Sequence, residues 1–169
     1  MDESEYSEIE AYHSRLDRSK GFGEIYDIVK DTVKRSLGEY RVGMMLYLDS
    51  LPLKLGAYHR MGTNIIVLNR SLIKRIETST NSMQIVSSFV YCILLHEYIH
   101  ALGYLKESDV RHLVYKVTEE SFGANHLATD LARKGPWSIL RGVPLNVVEA
   151  PEHIEVVKDF EKTDTMYIA

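Results

Sequence analysis

The sequence predicts an α+β domain, a small antiparallel or mixed sheet packed on a central helix and on a second helix that follows it. Three observations predict it. From 83 to 102 the chain holds no lysine, arginine or aspartate, and its one charged residue is the Glu97 of His96-Glu97-Tyr98-Ile99-His100. Between 41 and 69, three short apolar stretches alternate with turn residues. After Gly103, apolar residues return at helical spacing, at Val110, Leu113, Val114, Val117 and Phe122.

The elements follow in order. Ile9, Tyr12 and Leu16 give residues 2–20 a helical period within a charge-rich stretch, which reads as a weakly packed, mobile helix over 1–22. Ile25, Ile28, Val29, Val33 and Leu37 predict an amphipathic helix over 24–37, stopped by Gly38. Strands are predicted within 41–48, 55–60 and 62–69. The turns between them, at Ser50-Leu51-Pro52 and Gly62-Thr63-Asn64, suggest an antiparallel meander. A helical turn over 71–76 and a polar loop over 77–82 lead to the long apolar helix, which Gly103 ends. Ser108 is the expected N-cap of the next helix and Gly123 its end. A short helix over 126–132 stops at Lys134-Gly135-Pro136. Residues 136–169 read as a C-terminal extension, with a short helix over 154–160 and an apolar tip, Met166-Tyr167-Ile168, that could add to a sheet edge or occupy a cleft.

An exposed helix shows charge opposite its apolar stripe, and residues 83–102 show none apart from the motif, so the motif belongs to a buried helix. Residues four apart lie one above the other on a helix. His96 and His100 can therefore direct two imidazole nitrogens at one metal ion, with Glu97 placed to activate a water molecule. The expected cofactor is Zn2+, and the expected catalytic residue is Glu97.

A catalytic zinc site needs a third protein ligand and one open position. Lys106 stands where a three-histidine pattern would put its last histidine, and a lysine is no ligand at neutral pH. On the second helix Glu120 falls three residues after Val117 and seven after Leu113, on the apolar face, where a carboxylate needs a partner or a metal. Glu119 lies one position round, and His112 is out of phase and reads as a surface histidine. His126, opening the next helix, is the alternative third ligand, with Asn125 and Asp130 close enough in sequence to orient it. Tyr104 and Tyr115 lie near enough in the chain to support an oxyanion.

The whole chain narrows the class. At 169 residues, 45% hydrophobic and 26% charged, it is most simply one globular domain over 1–169. A net charge of -4 argues against a general nucleic-acid binder. Cys92 is the only cysteine, which excludes a disulfide framework and a cysteine-rich metal site. The acidic start is not a secretory leader, and the apolar run at 89–95 is too short to span a bilayer, so a cytoplasmic protein without membrane contact is expected.

These residues resemble the zincin metallopeptidases. His96, Glu97 and His100 match their signature, and Glu120 with Ser121-Phe122-Gly123 resembles the second-helix glutamate of the gluzincin branch. The order helix, small sheet, metal helix, second helix is similar to that of small zincin domains over residues 24–135. The resemblance implies a zinc-dependent hydrolase, most simply a peptidase acting on a peptide or protein paired with the strand at 64–68. A non-catalytic zincin-like binding module is the alternative reading. His100-Ala101-Leu102-Gly103-Tyr104 also resembles the zinc-dependent bacterial rRNA-maturation endoribonucleases, but Lys106 replaces their third histidine and this reading ranks lower.

Overall fold

The computed structural model describes residues 1–141 and 154–157. Its elements run α1 (Glu3–Asp17), α2 (Phe22–Leu37), β1 (Met45–Asp49), β2 (Ala57–His59), β3 (Ile65–Asn69), α3 (Arg70–Thr80), α4 (Met83–Ala101), α5 (Glu107–Phe122) and α6 (Leu127–Lys134). A 3-10 segment (Pro136–Leu140) and a two-residue strand, β4 (Glu155–Val156), complete it. The architecture is α+β.

α4 is the centre. Thirteen of its residues are buried, around the whole circumference, as its lack of charge requires. It packs against α2, α3, α5, α6 and β2, so most other elements are placed by contact with it. Ser82 caps its start by accepting from the N–H of Ile85. At its end the Arg41 guanidinium donates to the carbonyl of Ala101 at 2.6 Å and to that of Thr63 at 3.0 Å. A cation on a helix C-terminus is favourable both as a cap and against the helix dipole. The Tyr98 hydroxyl accepts from the Arg41 N–H at 2.7 Å, which fixes the same turn from the inside.

The sheet has the order β2-β3-β1-β4. β3 pairs antiparallel with β2 but parallel with β1, Met45 opposite Ile65 and Asp49 opposite Asn69. The sheet is therefore mixed, and the antiparallel meander expected from the turns is not formed. The reason lies at Asn69, fully buried at the end of β3. Its amide donates to the carbonyls of Leu51, Pro52 and Leu55 at 3.2, 3.0 and 2.7 Å, and its oxygen accepts from the N–H of Leu51 at 3.1 Å. The segment 50–56 thus crosses the end of β3 as a pinned loop, not a hairpin turn, and delivers β2 to the far side of β3. Asn69 also caps α3.

Because β3 is paired on both sides, the expected peptide-binding edge at 64–68 does not exist; β2 is the edge strand. Alternate strand faces then sort the residues. Leu46, Leu48, Ile66 and Leu68 face the helices and are buried.

Other boundaries shift for local reasons. α3 runs on to Thr80 because Asn81 takes the left-handed cap conformation, φ 46°, so the polar stretch after 76 is helix. α5 begins at Glu107 with Lys106 at the cap, two residues before the expected cap, Ser108. α1 is packed, not loosely attached. Ile9 and Leu16 are buried, and a His13 ring nitrogen lies 2.6 Å from the Phe122 carbonyl. Of the helix expected over 154–160, the described residues form β4 instead, Val156 opposite Tyr47. The tail at 163–169 lies outside the described residues. No helix among them is long and apolar enough to cross a membrane.

Replacing Asn69 with alanine strands several buried carbonyls and removes a helix cap. It is expected to destabilise the protein by about 3 kcal/mol and to lower Tm by roughly 6–12 °C. Thermal and urea unfolding check this, and a loss below about 1 kcal/mol would mean that the 50–56 loop is held by something else.

Candidate metal centre

The last turns of α4 carry the motif out of the core. His96 and His100 are half-buried, with their Nε2 atoms 3.2 Å apart. Glu107, in the first turn of α5, reaches across to both. Its Oε1 lies 2.8 Å from His100 Nε2 and its Oε2 lies 3.1 Å from His96 Nε2. Two ligands about 2.0–2.2 Å from a shared tetrahedral ion stand about 3.3–3.5 Å apart, so these separations are close to those of a three-ligand zinc set. His96, His100 and Glu107 are the one cluster of this kind among the described residues.

The local chain explains the convergence. After α4, Gly103 has φ 108°, a conformation open to glycine, and turns the backbone back past His100. The carbonyl of Tyr104 then accepts a hydrogen bond from His100 Nδ1 at 2.8 Å. In a neutral imidazole this bond puts the proton on Nδ1 and turns Nε2 toward the cluster, the usual way a ligand imidazole is held. α5 starts three residues later, which brings Glu107 over the pair.

Glu97 is held beside them. Burial pushes its carboxyl up to about 7, opposed by the nearby His100 and by a hydrogen bond donated from the backbone N–H of His59. That donor belongs to β2. Gly56 and Arg60 bond to β3, so in an antiparallel ladder the N–H groups of Ala57 and His59 point the other way, toward α4 and the cleft. Burial also lowers His96, partly countered by Glu107. His59 is lowered by burial too, and its ring is fixed on the carbonyl of Ile65 at 3.0 Å.

His96, Glu97 and Glu107 open onto a cleft of about 770 Å3. α4, the 54–57 segment, α5 and the 132–137 segment line it, with Trp137 against Gly56. Cys92 reaches the cleft wall but is buried, and desolvation pushes its thiol up to about 12, so it is inert packing.

The other residues singled out from sequence lie elsewhere. Glu120 is exposed at the far end of α5, where it accepts from the Ser36 hydroxyl and lies 3.9 Å from Lys116. The structure does not bring it to His96 and His100. The buried stripe of α5 is Val110, Val114, Val117, Thr118, Ser121 and Phe122, and Leu113 lies at its margin. A phase taken through Leu113 and Val117 therefore pointed Glu120 inward when it faces out. His126 is buried at the start of α6, its Nδ1 accepting from the N–H of Ala128 at 3.0 Å and its ring stacked on Phe122. It too is outside the cluster. Asp130 is engaged by Arg133 and Lys134, Tyr104 donates to Glu39, and Tyr115 lines the cleft while donating to Glu119. Glu107 was missed because the stretch 104–107 read as connection. The usable signal was the glycine turn after His100, which sends the next carboxylate back over the histidines.

His126 supplies a pH test. Burial and the neighbouring His13 hold it below the ordinary histidine value, with Asp17 pulling the other way. The folded protein then binds fewer protons at this site than the unfolded chain, so stability is full above about 6.5 and falls as pH drops below it. His126→Asn keeps an acceptor at the cap and removes the titration. Its unfolding free energy should vary less between pH 7.5 and 5.5 than that of the parent, as urea unfolding at stepped pH would show.

No family model, no curated protein and no solved structure matches this chain.

Proposed function

We propose that the chain is a zinc-dependent hydrolase, most simply a peptidase, in which His96, His100 and Glu107 hold the metal and Glu97 is the general base. The observation that carries this reading is the convergence of two imidazole nitrogens and a carboxylate beside a second, half-buried carboxylate in one cleft. The donor set suits zinc, since two histidines and a glutamate leave a fourth position for water or substrate. A zinc ion bound there supplies Lewis-acid polarisation of a carbonyl and lowers the pKa of water toward ~7.

The residues of the chain supply the rest. Glu97, with its proton affinity matched to neutral pH, takes a proton from the attacking water and passes it to the leaving amine. The His59 N–H orients its carboxylate, and the His100–Tyr104 bond holds the ligand imidazole in the required tautomer. The N–H and C=O of Ala57 on the outer edge of β2 are positioned to pair with an extended peptide laid along the cleft. An extended backbone fits an unpaired strand edge, which favours a peptide over other carbonyl substrates.

Two substitutions test the assignment. Glu97→Gln in the zinc-loaded protein should retain metal and fold while losing about 10²–10⁴-fold in cleavage of a mixed peptide pool followed by mass spectrometry. Glu107→Gln should weaken zinc binding by at least about 100-fold, more than the loss of a group that merely supports a ligand. Glu120→Gln and His126→Asn should leave zinc affinity unchanged. Undiminished cleavage by the Glu97 variant, or full zinc affinity in the Glu107 variant, would contradict the assignment.

A further inference from the structure

The cleft beside the metal cluster has a charge balance opposite to that of the chain. The protein carries a net charge of -4, yet the lining holds Lys54, Arg111, Arg133 and Lys134 against only Glu97 and Glu107. Glu107 spends both oxygens on His96 and His100, and Glu97 is half-buried on the cleft wall. Arg133 and Lys134 share the single carboxylate of Asp130. Arg111 and Lys54 have no ion pair among the described residues, although both are exposed and free to seek one.

Placement makes these two cations specific. Arg111 lies one turn after Glu107 on α5, on the same face, so its guanidinium stands next to the metal ligand. Lys54 comes from the loop pinned by Asn69, immediately before the β2 edge along which a peptide would lie. A guanidinium and an ammonium left unpaired beside a cleft offer charge-assisted hydrogen bonds to a carboxylate, and arginine can make two to one carboxylate. A nucleic acid needs a track of phosphate contacts, and these cations are confined to one cleft of about 770 Å3 on an acidic protein.

We propose that Arg111 and Lys54 select acidic peptides, seating a carboxylate close to the scissile bond. The inference rests on the hydrolase reading and adds the substrate class. The carboxylate is either an aspartate or glutamate side chain or the C-terminal carboxylate of the substrate; both present the same chemistry to the two cations.

The test uses the zinc-loaded full chain and calorimetry with peptide hydroxamates, which bind through an open position on the metal. One pair differs only in a C-terminal carboxylate against the amide; a second pair, both amides, carries glutamate against glutamine. The acidic member of at least one pair should bind ten-fold or more tightly, and the pair that responds identifies the source of the carboxylate. Arg111→Glu combined with Lys54→Glu should bring that ratio to about one, while Arg111→Lys should retain most of it. Equal affinities within both pairs, or a preference unmoved by the double charge reversal, would overturn the selectivity while leaving the metal site standing. Binding of none of the hydroxamates would instead remove the open metal site, and the selectivity with it. Displacement of the acidic hydroxamate by a single-stranded RNA decamer, weakening with salt, would overturn the peptide in favour of phosphate.

Discussion

The structure depends on the burial of one helix around its whole circumference. A helix without a polar face must be covered on every side, and α4 is covered by five helices and the edge of a sheet. That constraint gathers α2, α3, α5, α6 and β2 into one core, and it fixes where polarity can surface. Polarity surfaces at the C-terminal turns, where His96, Glu97 and His100 leave the core together. The rigidity of the site follows from the core behind it. Tyr98, between His96 and His100, is buried edge-on against Tyr26 with ring centroids 5.7 Å apart and is tied to the backbone of Arg41.

The same burial sets the chemistry of Glu97. Its carboxyl is kept near neutrality by desolvation, and one backbone donor from β2 keeps it pointed. β2 is available for that task because Asn69 carries the chain across the end of β3 and leaves β2 as an edge. A buried amide at the end of β3 thus bears on a carboxylate in a helix through one strand. Glu107 approaches from the other side, delivered by the Gly103 turn and the start of α5.

Much of this was legible in the residues. The 83–102 run announced a buried helix by lacking charge, and Gly38, Gly103 and Gly123 marked helix ends because each supplies a backbone conformation that side chains resist. The histidine pair was legible because four residues make one turn. The sheet order was not. Turn residues at Ser50-Leu51-Pro52 signal a change of direction but do not say whether the next strand lands beside the last one, and here a long-range amide, Asn69, decides. Nor was the third member of the cluster legible from helix phase. α5 is only weakly amphipathic in sequence, so a phase drawn through Leu113 misplaced Glu120, and the short link after Gly103 hid Glu107. Both misses concern where one element sits on another, which local pattern does not encode.

The central claim is that Glu107, and neither Glu120 nor His126, joins His96 and His100 around a metal. X-ray absorption spectroscopy of the zinc-loaded protein and of its Glu107→Gln variant tests it most directly. The account predicts two imidazole nitrogens and a carboxylate oxygen at about 2.0–2.2 Å in the parent, and loss of the carboxylate shell with weakened binding in the variant. Three imidazole ligands, or a carboxylate shell that survives Glu107→Gln, would contradict it.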